Sequence, residues 1–176
     1  MKTRIFALTL VAIMLLCLVS CDIQTKEAEN GFSIELPFHY MDLNSLMAKT
    51  APEVDMPEST CTYTSFIEGI SVTAIKNVDY EGNSLDLRDF PEYEDLSDEE
   101  IAYAKAQQEI TDFPDGKEFE VINGVPVIIQ DISGQRTYTF YYVVDGCEWQ
   151  VIFVCLKDAD NLKDNIAKYA ETIEFK

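Results

Sequence analysis

The stretch that most constrains the fold is residues 136–156, "RTYTFYYVVDGCEWQVIFVCL". Two runs rich in β-branched and aromatic residues flank Asp145-Gly146, a dipeptide that supplies the positive φ angles of a two-residue hairpin turn. In the second run Cys147, Trp149, Val151, Phe153 and Cys155 alternate onto one face, while Ile152, Val154 and Leu156 make the other face largely apolar as well. A strand apolar on both sides belongs in the middle of a sheet that is covered on both sides. In the first run Tyr138, Phe140 and Tyr142 oppose Thr139, Tyr141 and Val143. An aromatic sheet face serves as a ligand platform or as the bed of a helix, and in a covered sheet the bed is the better reading.

The remaining segments fit around that hairpin. "GFSIELP" places Phe32, Ile34 and Leu36 on one face of a strand closed by Pro37. "YMDLNSLMAK" allows at most a short helix before Pro52 and Pro57, and "STCTYTSFIEGISVTAIKNVDY" reads as two strands joined by a tight turn at "EG". Ser97 and Glu100 form a capping box, so "SDEEIAYAKAQQEI" starts a helix there. Asn123-Gly124 marks another hairpin, with Pro126 arguing for an edge or a bulge. The last helix lies in "DADNLKDNIAKYAETIEF", with Leu162, Ile166, Tyr169, Ala170 and Ile173 in one stripe, Asp158 or Asp160 as cap, and Asp164 four residues before Lys168. Strands and helices in this order give an α+β fold, an antiparallel sheet with helices packed on its faces.

The layout resembles the PsbP-like α/β/α sandwich, shared by the photosystem II extrinsic protein, a nuclear-transport factor and bacterial lipoproteins of the DcrB kind. The resemblance rests on "GFSIELP", "TYTFYYVVDGCEWQVIFVCL" and "NIAKYAETIEF", and spans residues 32–175. It implies a domain that binds partners or supports assemblies, carries no cofactor and is not an enzyme.

The N-terminus concerns address. Lys2 and Arg4 precede an apolar run from Ile5 to Val19, the layout of a secretory signal. Fifteen residues rise about 22 Å as a helix, short of the roughly 30 Å hydrocarbon core, so cleavage is a better reading than a permanent span. "LVSC" resembles the lipobox of bacterial lipoproteins, which implies cutting after Ser20 and acylation of Cys21. Two or three chains would then anchor the protein stably to the cell membrane, outside the cytoplasm. Asp22 resembles the inner-membrane retention signal of some Gram-negative lipoproteins. The domain plan is a signal at 1–20, Cys21 with a polar tether over 21–31 reaching about 30 Å at full extension, and one domain over 32–176.

Loss of residues 1–20 removes two bases and no acid, taking the net charge from −19 to −21. Nucleic acid is thereby excluded as a partner, since phosphate recognition needs a basic face. A partner drawn by long-range field would be cationic, although the charge also serves to keep an exported domain soluble.

Little in the chain suggests catalysis. His39 is the single histidine and reads as a loop residue, which leaves a hydrolase little to stand on. Glu92, Glu94, Asp95, Asp98 and Glu99 could ligate calcium, though no EF-hand glycine accompanies them and a solvated acidic loop explains the same residues. Cys147 and Cys155 lie on one strand about 26 Å apart, too far for a bridge. A disulfide, if formed, joins Cys61 to one of them; three buried thiols is the preferred reading.

Overall fold

The computed structural model describes residues 23–51, 53, 57–156 and 162–176. In chain order these form β1 (Ile23–Glu27), β2 (Phe32–Pro37), β3 (Met41–Asp42), α1 (Leu43–Thr50), β4 (Thr60–Ser65), β5 (Ile70–Lys76), a 3-10 turn (Leu87–Asp89), α2 (Asp98–Asp112), β6 (Lys117–Ile122), β7 (Val125–Ile132), β8 (Gln135–Val144), β9 (Cys147–Leu156), α3 (Leu162–Ala170) and β10 (Glu174–Phe175). Seven strands make one antiparallel sheet in the order β3-β4-β5-β9-β8-β7-β6, and a three-stranded sheet runs β1-β2-β10. The fold is α+β, as the element order led one to expect. No described helix is long and apolar enough to cross a membrane.

β9 is the fourth of the seven strands, where its two apolar faces place it. Its Trp149, Val151, Phe153 and Cys155 point into the main core, with Val72 and Ala74 of β5 and Phe140 of β8, and Cys147 is buried at the end of the strand. The small sheet and α3 close that core: Phe32, Ile34 and Leu36 are fully buried, α3 contributes Leu162, Ile166 and Ala170, and Phe175 packs on Trp149 and Tyr142. The aromatic face of β8 is thus a bed, as expected. α2 lies on the opposite face over β6, β7 and β8, burying Ala102 and Ala106 against Ile128 and Tyr141.

The turns follow the residue types that a positive φ requires. Asn123-Gly124 (φ 54° and 80°) and Asp145-Gly146 (φ 51° and 79°) close the two expected hairpins, and Ser133-Gly134 closes β7–β8. Pro126 lies one residue before the β7–β8 ladder begins at Val127, so its missing N–H costs the sheet nothing. Gly146 is also required by space, because a Cβ there would lie 2.0 Å from Oδ1 of Asp86. The Ser97–Glu100 capping box opens α2.

Three expectations are corrected. Part of the polar tether is strand: Ile23–Glu27 pairs with β2, Ile23 opposite Pro37 and Glu27 opposite Ser33, so the fold begins no later than Ile23 rather than at Phe32. β2 offers backbone donors and acceptors along its outer side, and a polar segment satisfies them as an edge strand without apolar side chains. The last helix ends at Ala170, short of Ile173, and Phe175 turns instead into β10 against Phe32. Its expected caps Asp158 and Asp160, with Pro52, Cys21, Asp22 and the signal segment, lie outside the described residues. Finally, both faces of β9 are not equally covered. α2 stops short of β4 and β5, where Thr62 pairs its hydroxyl with Thr73, and Thr64 with Ser71, on a half-open face.

The sheet ends in guarded edges. β3 has two residues, and β6 alternates Lys117, Glu118 and Glu120 among apolar side chains.

Cys61, Cys147 and Cys155 are free and buried. Cys61 pairs with Ala74, and Ala74 with Val151, which lies midway between the other two, so each is about 16 Å from Cys61 by strand geometry, beyond bridging reach. Burial pushes the thiols of Cys61 and Cys155 up to about 11 and raises that of Cys147. A thiol held neutral in the fold but ionising near 9 when unfolded contributes stability below pH 9, which is lost as pH rises towards 11. The unfolding temperature is therefore expected to hold between about pH 7 and 8.5 and fall between about 9 and 11. At pH 8 a thiol reagent should modify these three cysteines only after denaturation, and rapid labelling of the native chain would contradict the packing described.

Candidate functional site

Where α2 leaves the large sheet, a cleft of about 490 Å³ opens between the helix and strands β5, β9 and β8. At its floor is Glu148, an acid in a largely apolar central strand and only 3% exposed. The alternation that sends Trp149 and Val151 into the main core sends Glu148 to the α2 side. Its carboxylate is fully engaged: Oε2 lies 3.3 Å from Nζ of Lys105 and accepts from Nδ2 of Asn77 at 3.2 Å, and Oε1 accepts from Nε2 of Gln150 at 2.9 Å. Lys105 and Glu109 stand one turn apart on α2, and Asp112 follows along the same rim. Tyr141 forms part of the wall; burial, then the charges of Glu109 and Glu148, hold its hydroxyl protonated well above the usual phenol range.

A second, more open cleft of about 530 Å³, lined by Phe113, Asp115, Lys117 and Gln130, shares Glu109 and Asp112 with the first. Together they make a groove along the C-terminal half of α2 whose walls set the carboxylates of Glu109, Asp112, Asp115 and Glu148 beside Lys76, Lys105 and Lys117, with amides and a phenol between them; Glu148 is paired with Lys105 and Glu109 with Lys117. Such a set can hold an ammonium, a guanidinium or a polar backbone by hydrogen bonds and charge. It offers no thiol, imidazole or paired base and nucleophile for bond cleavage.

A second polar cluster lies elsewhere. Glu68, in the β4–β5 turn, receives Nε2 of His39 at 3.0 Å and the hydroxyls of Tyr40 and Tyr169, both at 3.0 Å on Oε2. Burial, followed by the Glu68 charge, raises the phenols of Tyr40 and Tyr169. His39 is thus a fixed partner of a turn carboxylate, tying the β2–β3 connection and α3 to β4–β5.

The acids suggested as calcium ligands point apart. Glu92, Glu94, Asp95 and Glu99 are exposed, while Tyr93 between them turns inward. Asp98 pairs with Arg88 and accepts the backbone N–H groups of Asp145 at 3.0 Å and Gly146 at 3.2 Å, pinning the N-terminus of α2 to the β8–β9 turn. Among the described residues no group of three or more His, Cys, Asp or Glu side chains is placed to hold a metal ion.

Glu148 and Glu68 were not singled out by reading the sequence. Glu148 had a signal, a charge at a buried position of the most apolar strand; Glu68 sat in a turn, where an acid is unremarkable.

No family model matches this chain, and no curated protein matches it. Solved structures do. A protein from Bacteroides thetaiotaomicron VPI-5482 superposes over 89% of this chain and 49% of its own, with TM-score 0.52 and 8% identity. This chain therefore spans about half the length of that protein. The Ran-binding protein Mog1p of Saccharomyces cerevisiae superposes over 89% of this chain and 96% of its own, at TM-score 0.50 and 10% identity. PsbP from Synechocystis sp. PCC 6803 covers 89% and 94%, at TM-score 0.47 and 11% identity. At these identities the likeness is one of fold alone. The α+β architecture implied by the sequence resemblance is the observed one, and the nearly full-length overlap with the yeast protein supports it.

Removing Lys105 tests how the Glu148 site is held. Lys105→Met leaves a buried carboxylate with two amide donors and is expected to cost about 1–3 kcal/mol, because the orphaned charge loses its counter-ion. Glu148→Gln/Lys105→Met together should recover part of that loss, as read by denaturant unfolding.

Proposed function

We propose that this chain is a lipid-anchored extracytoplasmic binding domain, held to a bacterial cell membrane through acylated Cys21, that takes a basic group of a protein partner in the cleft beside Glu148 and makes or breaks no bond. The observation that carries the binding reading is the cleft itself, where Asp112 stands on the rim beside the Glu148–Lys105 and Glu109–Lys117 pairs, among amides and a phenol fixed by burial. Preorganised carboxylates recognise cations without chemistry, and the strongly acidic chain draws such partners from a distance. The anchoring half rests on "LVSC" at the end of the apolar run. One bearer of this fold, Mog1p, is a Ran-binding protein, a precedent for partner binding on the scaffold and nothing nearer.

Two measurements separate the halves. Wild-type protein should partition into detergent and Cys21→Ala into the aqueous phase, and a wild type found in the aqueous phase would overturn the anchor. For the cleft, a labelled oligolysine peptide should lose about three- to tenfold in affinity on Glu109→Gln/Asp112→Asn, the size of two partly exposed charge contacts. Glu171→Gln/Glu174→Gln removes the same charge from the opposite layer and should leave binding nearly unchanged. Equal losses in the two variants would mean that net charge alone attracts the peptide, and the cleft reading would fail.

A further inference from the structure

The exposed apolar side chains are not scattered evenly. Phe66 and Ile67, at the tip of the β4–β5 turn, are 79% and 78% exposed. Leu156 ends β9 at that same margin of the large sheet, because Ile70 pairs with Cys155. Ile132 enters the β7–β8 turn beside it, since Gln135 pairs with both Leu156 and Ile132. Phe38 follows β2 there, and the Glu68 contacts of His39 and Tyr40 bind that connection to the Phe66–Ile67 turn. Ile23, exposed and opposite Pro37, places the start of β1 at this end too.

The described chain therefore emerges, two residues after Cys21, beside a cluster of exposed Phe, Ile and Leu side chains. Among the described residues Arg136 pairs with Asp131, and Glu68 is held by His39, Tyr40 and Tyr169; Lys157, Asp158 and Asp160, next after Leu156, lie outside the described residues. The densest run of acids, ten between Asp79 and Glu100, lies at the other end. The segment from Asp79 to Glu100 is fastened there by the Asp86–Cys147 bridge and by Asp98 on the β8–β9 turn, about 30 Å from Leu156 along the ten residues of β9. That distance is several Debye lengths at physiological salt, so the acidic end lies outside the reach of an anionic leaflet.

We infer that this end is a membrane-docking face, with Phe66, Ile67 and Phe38 inserted at the interface of the bilayer that holds Cys21. The inference rests on the reading of Cys21 as the anchor. With β1 paired to β2 rather than free, the anchored chain leaves only Asp22 between the acylated residue and the folded sheet, so the domain lies against the lipid. Anchor and side chains then share one surface, and apolar side chains at the interface add to the hold of the acyl chains. The contacts of Glu68 keep the turn in shape for that insertion.

The experiment uses the full-length acylated protein in phosphatidylcholine vesicles, with and without brominated chains that quench tryptophan on contact. Trp149 is the only native tryptophan and is buried in the core, so wild type sets an unquenched baseline. Phe66→Trp adds an emitter at the docking face, and Tyr80→Trp adds one at a fully open position of the acidic end. Brominated lipid should quench the added emission of Phe66→Trp and spare that of Tyr80→Trp. Equal quenching, or none in either, overturns the docking face while leaving the anchor standing. The mass of the Cys21 peptide reports on the anchor separately, and an unmodified Cys21 overturns both. A concentration-dependent dimer of Cys21→Ala that Phe66→Ser/Ile67→Ser abolishes would assign the cluster to a second copy instead and overturn the proposal.

Discussion

Everything in this fold is referred to β9. Its inward side chains form the floor of the main core, its outward Glu148 the floor of the cleft, and its two neighbours β5 and β8 contribute to both. A central strand with both ladders filled is the part of a sheet least able to shift, because a slip of one residue would exchange core and cleft side chains wholesale. The turn at Asp145-Gly146 and its clamp by Asp98 fix that register from one end. The position of α2, and so the mouth of the cleft, follows from the same clamp.

The two layers that cover the sheet are unlike one another, and the difference has a physical origin. On the core side a small sheet and an amphipathic helix bring Phe32, Phe175 and Ile166 onto the aromatic bed of β8, burying Tyr138 and Phe140 and partly covering Tyr142. On the other side a single fifteen-residue helix, pinned at its N-terminus, spans only β6 to β8. The strands beyond its reach carry threonine and serine in place of large apolar side chains, and these satisfy one another across β4 and β5. Partial cover is therefore written into side-chain chemistry as well as into helix length.

Much of this was legible in the order of residues. The alternation in "CEWQVIFVCL" placed β9, Asn123-Gly124 and Asp145-Gly146 placed two turns, and Ser97 with Glu100 placed the start of α2, because each is a local rule with a strong physical cause. What escaped depends on partners distant in sequence. Nothing in "IQTKE" announces a strand, since its stabilisation comes from the unpaired edge of β2. Phe175 reads as the end of a helical stripe until Phe32 is present to receive it as a strand. Glu148 and Lys105 are 43 positions apart, and neither names the other. His39 was rightly placed in a loop, but the carboxylate that holds it lies on another turn.

The brevity of β3 and the charges of β6 have a consequence beyond folding. Were the chain confined to a surface through Cys21, as proposed, copies would encounter one another in two dimensions, at an effective concentration far above that of the same number free in solution. Seven antiparallel strands with bare margins would then be a template for end-to-end joining into ribbons. A two-residue margin offers too few backbone groups to seed such a contact, and Lys117, Glu118 and Glu120 would have to be stripped of water to form it on the other side. Under the proposed anchoring, the borders of the sheet would oppose edge-to-edge joining of crowded copies.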